Sequence, residues 1–153
     1  MFHMPLNTSV EITTPEDNAR TFVNAADKME QLNKRIFNLG GGHKNRILYK
    51  DLLQRNFDIY GLGKLNFPKE SFADKNFHCG YYKDGDELEE ILHFRKDTLE
   101  TYFEIVKKSV PKFQRFITSL VSPFVKKGLV KKSESYHAFK NKDKSMMERF
   151  FNL

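Results

Sequence analysis

Apolar residues recur at intervals of three and four along most of this chain, and that spacing constrains the fold more than any other feature. It appears in residues 15–39, 86–110, 112–127 and 144–151. Such spacing places apolar side chains on one side of an α-helix, whereas a strand requires alternation. The sequence therefore predicts a mainly α-helical fold. Its length of 153 residues, with 15 Phe and 6 Tyr to fill a core, predicts a single domain over 1–153.

The N-terminal part, residues 15–57, is predicted to hold two helices. Thr14 is a good N-cap residue, and Pro15 suits the first position of a helix. The apolar spacing then predicts a helix over 15–39, and a second, shorter helix completes this part. Residues 5–13 are expected to form an arm or an edge strand.

The middle of the chain, residues 58–85, contains several glycines among scattered aromatic residues. This composition predicts a long irregular connection, with a strand at 77–82 as an open alternative. The last part then begins with a helical pattern over 86–110, which fits either one helix or two helices separated near Asp97. Because the residue before a proline is biased away from helix, a boundary is expected at Pro111.

The basic residues are concentrated in the last third of the chain. The formal net charge is +6, and residues 105–153 hold 12 basic and 3 acidic residues. Between Glu104 and Glu134 there are 29 residues without a carboxylate. The basic residues of this stretch are Lys107, Lys108, Lys112, Arg115, Lys126, Lys127, Lys131 and Lys132. Clustered charge of this kind indicates an anionic partner.

The segment 112–127 is predicted to be an amphipathic helix. One broad side carries Phe113, Phe116, Ile117, Leu120, Val121 and Phe124, and the opposite side carries Lys112, Arg115, Ser119, Ser122 and Lys126. The apolar side is expected to be buried and the basic side to face solvent. Lysine, arginine and small hydroxyl residues on one exposed side suit close approach to a nucleic-acid duplex.

The residues after this helix resemble those of the winged helix-turn-helix superfamily. The resemblance lies in Ile117, Leu120, Val121 and Phe124 followed by Lys-Lys-Gly-Leu-Val-Lys-Lys at 126–132, and it spans residues 97–140. It implies a recognition helix at 112–127 that ends at Gly128, and a β-hairpin wing at 129–139. The expected fold is a helical domain whose C-terminal part, 86–153, is winged-helix-like. Asp143 is expected to cap a terminal helix.

The resemblance implies a protein that binds double-stranded DNA, acting as a small transcription or replication regulator. The residues expected to contact DNA are Lys112, Gln114, Arg115, Thr118, Ser119, Ser122, Lys126, Lys131 and Lys132. A homodimer or a protein partner is also possible on this view, since many such modules dimerise. The alternative is a helical protein–protein interaction module that does not bind nucleic acid. A small nuclease using His43, His78 or His93 is a third hypothesis.

Enzyme chemistry, a metal and a cofactor are not expected. His78 and Cys79 lack the paired spacing of a zinc site, and Lys44 after the glycines at 40–42 is not followed by the Ser or Thr of a phosphate loop. No membrane partner is expected, because no apolar run reaches about 20 residues. A lone cysteine and the lack of a leader pattern favour a cytoplasmic protein.

Overall fold

The computed structural model describes residues 1–75 and 80–152. The described residues are mainly helical, with one small antiparallel sheet of two strands, so the predicted mainly α-helical class is confirmed. The elements in chain order are β1 (Ser9–Glu11), α1 (Pro15–Ala26), α2 (Met29–Leu32), β2 (Arg46–Leu48), α3 (Tyr49–Tyr60), α4 (Asp86–Leu92), α5 (Leu99–Ser109), α6 (Lys112–Val130), α7 (Glu134–Lys140) and α8 (Lys144–Phe150).

The chain forms two compact units, each assembled from separate stretches of sequence. Among the described residues, unit 1 contains 1–8, 48–75 and 106–152, and unit 2 contains 9–47 and 80–105. Each unit has its own apolar cluster or clusters, so each is described by itself.

Unit 1 is built on two apolar clusters. The first holds Phe2, Tyr49 and Phe72, with Met4, Leu6, Leu52, Leu53, Leu65, Phe67 and Leu129 packed against them. The second holds Ala73, Ala138, Phe150 and Phe151, with Met146 and Met147 beside them. The α8 helix begins where the sequence predicts, because the Asp143 side chain accepts a hydrogen bond from the Met146 amide at 3.1 Å.

The predicted hairpin at 129–139 is wrong, because these residues are helical. The α6 helix runs past Gly128 to Val130, and α7 follows after a short turn. Ser133 caps α7 by accepting a hydrogen bond from the Tyr136 amide at 3.0 Å. The Ser133 and Ser135 hydroxyls, both fully buried, also donate to the Ser71 carbonyl at 2.8 and 2.7 Å. These two serines, which lie within the predicted hairpin, therefore start a helix and anchor it.

Unit 2 has one apolar cluster, and it explains why the predicted helix over 15–39 is shorter than expected. The cluster holds Leu88, Leu92 and Phe94, with Ala25, Leu32, Phe37, Leu39 and Ile91 packed against them. After α1 ends at Ala26 and α2 at Leu32, the chain continues without regular structure. A straight helix would carry Phe37 and Leu39 away from the cluster that contains Ala25. Burial of these residues therefore ends the helix before the glycines do.

Two further boundaries concern α5. The pattern over 86–110 forms two helices, α4 and α5, and α5 ends at Ser109, before Pro111. Asp97 lies at the predicted break, but its carboxylate accepts a hydrogen bond from the Thr14 hydroxyl rather than capping α5. Of the predicted strand at 77–82, residues 77–79 lie outside the described residues, and 80–82 are not a strand.

Candidate functional site

The α6 helix packs on unit 1 through its polar side. Ser122 is buried, and its hydroxyl donates to the Leu62 carbonyl at 2.7 Å. The Lys126 ammonium donates to the Lys64 carbonyl at 2.6 Å and to the side-chain oxygen of Asn66 at 2.7 Å. These three acceptors belong to the irregular segment that follows α3, whose carbonyl groups are not paired in a helix or a sheet; the Lys64 carbonyl also accepts from the Asn66 amide at 2.9 Å. The polar residues of α6 satisfy them, which fixes the orientation of the helix.

The opposite side of α6 is apolar and faces solvent. We call it the outward face; its residues are Phe113, Phe116, Ile117, Leu120, Val121, Phe124 and Val125, all exposed. Phe113, Phe116 and Phe124 are 74%, 61% and 77% exposed. At about 200 Å² for each phenylalanine, these three rings alone present about 400 Å² of apolar surface. With the four aliphatic residues added, the face is larger than the apolar patches common on monomeric proteins.

The predicted orientation of this helix is therefore wrong. The apolar side expected to be buried is exposed, and part of the basic side expected in solvent is packed. Ser122 is buried, while Thr118 and Lys126 are half-buried. The helical spacing located both sides correctly, but the irregular segment after α3 requires hydrogen-bond donors. Donors are on the polar side, so that side turns inward.

The other residues expected to contact DNA are exposed. Lys112, Gln114, Arg115 and Ser119 lie in the first half of α6, and Lys131 and Lys132 follow its last turn. The Ser119 hydroxyl donates to the Phe116 carbonyl of the same helix at 2.7 Å. The structure therefore brings six of the nine predicted residues to the surface, but not as one continuous stripe with the other three.

Lysines border the outward face at both ends. We call Lys112, Lys127 and Lys131 the basic rim; all three are exposed. Lys112 lies four residues before Phe116, and Lys127 lies three residues after Phe124, so each shares a side of the helix with a ring. Lys131, the C-cap residue, follows Lys127 by four. The segment that carries the rim has no carboxylate, since none occurs between Glu104 and Glu134, although Asp58 of α3 lines the same cleft as Lys112.

The sequence does not identify the outward face as a functional surface. Apolar helix faces are usually buried, so the pattern alone places these residues in the core. The signal that marks them is the placement of lysines at three- and four-residue spacing from the phenylalanines, within a stretch that has no acidic residue. An apolar stripe that packs into the core does not require lysines along its edge.

In unit 2, α1 also packs through polar side chains. Asp17 is fully buried, and its carboxylate accepts hydrogen bonds from the amides of Lys96 at 2.9 Å and Asp97 at 3.2 Å. Arg20 forms ion pairs with the carboxylates of Asp17 and Asp97. These pairs raise the pKa of Arg20, chiefly through the hydrogen bond to Asp17. The charged groups of Asp17, Arg20 and Asp97 are thus bonded to one another within unit 2, so this cluster has a structural role.

The glycine loop at 40–42 is likewise held by unit 2 itself. The Gly42 amide donates to the Glu11 carboxylate at 2.9 Å, and Arg95 donates to the Gly40 carbonyl at 2.8 Å. A Cβ at Gly41 would lie 1.9 Å from the Ile12 carbonyl oxygen, so close packing requires glycine there. Arg95 also pairs with Asp86 and lowers the pKa of that carboxyl.

The histidines considered for a nuclease do not come together in a described site. His93 has a positive φ of 49° and ends α4, and His43 begins a short 3₁₀ turn. His78 and Cys79 lie outside the described residues. Within 1–75 and 80–152, no group of three or more His, Cys, Asp or Glu is arranged to hold a metal ion.

None of the helices in the described part of the chain has both the length and the apolar content needed to cross a bilayer. Comparison with known proteins found no family model, no curated protein and no solved structure that matches this chain.

Proposed function

We propose that this protein binds the surface of anionic membranes, with α6 lying in the plane of the interface and its outward face in contact with the acyl chains. The observation that carries the proposal is the exposed row of Phe113, Phe116, Leu120 and Phe124 on a helix bordered by lysines. Interfacial helices combine bulky apolar residues on one side with lysines beside them. The expectation of no membrane partner rests on the absence of a spanning segment, which a helix lying in the interface does not need.

The composition of the face favours a lipid surface over a protein partner. Protein interfaces are enriched in Tyr, Trp, Phe, Met and Arg and depleted in Lys. The phenylalanines of the outward face therefore suit a protein or a lipid surface, and the residues beside them distinguish the two partners. The outward face contains no Tyr, Trp or Arg, and its rim consists entirely of lysines. Lysine is suited to an anionic bilayer, where each basic residue near the surface contributes about 1 kcal/mol. A second copy of the chain is disfavoured, because a symmetric pair of α6 helices would bring the lysines of two basic rims together.

The magnitudes indicate which residues dominate binding. Transfer of about 400 Å² of phenylalanine surface from water to an apolar phase is worth at most about 10 kcal/mol at 25 cal/mol per Å². The three rim lysines contribute about 3 kcal/mol together. The apolar term is therefore the larger one, and the lysines select anionic over zwitterionic bilayers.

The test is sedimentation of the full chain with two kinds of unilamellar vesicle. One contains phosphatidylcholine alone, and the other contains two parts phosphatidylcholine to one part phosphatidylglycerol. We expect binding to the anionic vesicles that weakens with salt. Because each phenylalanine is worth about 1.5–3 kcal/mol when buried, the double variant Phe113→Ser, Phe124→Ser should lose at least about 100-fold in affinity.

Phe22→Ser is the matched control. Phe22 is 75% exposed, as exposed as Phe113 and Phe124, but it lies on α1 in unit 2. Its substitution should leave vesicle binding unchanged. Equal losses in Phe22→Ser and in the double variant would contradict the proposal, because they would show unspecific adhesion of exposed rings.

A titration with random-sequence DNA duplex tests the competing hypothesis that the protein binds DNA. DNA binding by the residues predicted from the sequence stays a prediction, and of these residues Ser122 and Lys126 form hydrogen bonds within unit 1. Duplex binding that survives the double variant, without binding to vesicles, would replace the lipid proposal with the DNA hypothesis. A dimer that the double variant abolishes, again without vesicle binding, would replace it with a protein–protein interaction.

A further inference from the structure

A cleft of about 490 Å³ opens beside the first half of α6, within unit 1. Asp58, Gly61 and Gly63 contribute one wall, from the end of α3 and the residues after it. Lys112, Arg115, Phe116 and Ser119 contribute the other wall. Phe116 also belongs to the outward face, so the cleft and the face are continuous at that ring.

Two glycines shape the cleft. Gly61 ends α3 with a φ of +79°, a conformation that favours glycine. A Cβ at this position would lie 2.4 Å from the Arg115 carbonyl oxygen, so α3 and α6 approach closely only because Gly61 has no side chain. Gly63 has a φ of +69°, and a Cβ there would meet no atom within 4 Å. The cleft therefore has a floor of backbone with open space above it.

The walls carry opposite charges. Lys112 and Arg115 are exposed, and neither side chain forms a hydrogen bond or an ion pair within the described part of the chain. Across from them, one oxygen of the Asp58 carboxylate accepts a hydrogen bond from the Gln54 amide at 2.9 Å. This arrangement suits a ligand that carries an anionic group and hydrogen-bond donors a short distance apart.

We infer that the cleft binds the headgroup of an anionic glycerophospholipid, and this inference rests on the proposed membrane binding. Arg115 and Lys112 bind the phosphodiester oxygens, and Asp58 accepts hydrogen bonds from headgroup hydroxyl groups. The acyl chains leave the cleft past Phe116 and lie along the outward face. The cleft thus selects among lipids of equal charge, which the basic rim alone does not do.

The test compares vesicles that contain phosphatidylglycerol with vesicles that contain the same fraction of phosphatidylmethanol. Both lipids carry one negative charge on a phosphodiester, but only phosphatidylglycerol has hydroxyl donors. The full chain should bind phosphatidylglycerol at least about tenfold more tightly, as expected for one hydrogen bond to a charged group. Asp58→Ala removes the acceptor and should abolish this preference, whereas Asp51→Ala, which removes an exposed carboxylate elsewhere on α3, should retain it.

Arg115→Gln is compared with Lys132→Gln, which removes one exposed positive charge outside the cleft. Arg115→Gln should weaken binding to both lipids more than Lys132→Gln does. Equal effects of these two variants, or equal affinity of the unmodified chain for the two lipids, would overturn the headgroup site. If vesicle binding still depended on Phe113 and Phe124, the proposed function would stand.

A second measurement tests the cleft without a bilayer. Monomeric dihexanoylphosphatidylglycerol is titrated into isotopically labelled protein and followed by amide NMR. We expect the largest shifts at Gly61, Gly63 and Arg115. Shifts there without vesicle binding would retain the site and reject the membrane proposal. Absence of shifts at these amides would reject the site whatever the vesicles show.

Discussion

The α6 helix of unit 1 and the α1 helix of unit 2 share an unusual orientation, because each turns its polar side toward its own unit and leaves phenylalanine in solvent. They differ in what the polar side does. The α1 helix contributes a fully buried carboxylate, Asp17, to a closed hydrogen-bonded group. The α6 helix contributes one buried serine and one lysine that bind loop oxygens. The polar side of α1 is thus an internal structural element, whereas α6 is held by fewer polar contacts.

The surroundings of the exposed rings differ as well. Next to α1, the exposed residues Asp27, Lys28 and Glu30 carry charges of both signs. Next to α6, the basic rim contributes three positive charges, and the Asp58 carboxylate lines the same cleft as Lys112, so positive charge predominates. An exposed apolar face is therefore not sufficient to predict a membrane surface, and the charge around the face decides between the two helices.

The largest expected effect is on the stability of unit 2. Asp17→Ala removes the acceptor of two backbone amides and leaves Arg20 without its buried partner. We expect a loss of about 3 kcal/mol in the free energy of unfolding. Urea titration followed by circular dichroism measures it, with Asp27→Ala, an exposed carboxylate at the end of α1, as the control. Similar stability of the two variants would show that the buried group is not what holds α1.

The next effect is on membrane binding. Substitution of Lys127 and Lys131 by glutamine should weaken binding to anionic vesicles by about 2 kcal/mol, because each lysine near the surface contributes about 1 kcal/mol. The same substitutions at Lys28 and Lys34, exposed residues after α1, should change nothing. Vesicle titration at low salt makes the comparison. If the two pairs of substitutions weaken vesicle binding equally, the total charge of the protein rather than the basic rim determines the binding.

A smaller effect is expected within α6 itself. Ser122→Ala leaves the Leu62 carbonyl without its donor and should cost about 1 kcal/mol of stability. Ser119→Ala removes a hydroxyl of the same helix that is exposed, and it should cost almost nothing. Thermal unfolding of the two variants compares a buried and an exposed hydroxyl on the polar side of α6 directly. The reverse order would contradict the orientation of the helix.

The smallest effect concerns the ion pair of Asp86 with Arg95. Arg95 lowers the pKa of Asp86 from its ordinary value of 3.8, so the pair contributes stability above that pH and loses it as the pH falls through the lowered pKa. The Asp86 side chain is 68% exposed, which limits the contribution to less than about 0.5 kcal/mol. Asp86→Asn should therefore flatten the acid limb of the stability curve slightly. An unchanged acid limb would show that the pair is screened entirely.

The sequence was sufficient for features that depend on local chemistry. The start of α1 at Thr14 and Pro15, the boundary before Pro111 and the cap at Asp143 all follow from side chains that act within one turn. The mainly helical class follows from apolar spacing. The hairpin at 129–139 is a wrong prediction because Ser133 is equally suited to a turn and to a helix cap, and its contact with the Ser71 carbonyl is distant in sequence.

The orientation of α6 was not predictable from its own residues. An amphipathic pattern gives two sides but does not say which one has a partner. That depends on the irregular segment after α3, whose carbonyl groups at Leu62 and Lys64 attract donors from a helix about 60 residues later in the chain. The cleft beside Arg115 could not be predicted from the sequence for the same reason. It depends on the close approach of Gly61, at the end of α3, to the Arg115 carbonyl of α6.

The most direct test uses the absence of tryptophan from this chain, because a single introduced tryptophan then reports its own surroundings. Phe124→Trp and Phe22→Trp are compared in vesicles of phosphatidylcholine and phosphatidylglycerol that carry brominated acyl chains. We predict a blue shift and strong quenching for tryptophan at 124, and neither for tryptophan at 22. Emission at 124 that stays unchanged on addition of these vesicles would contradict membrane binding through the outward face.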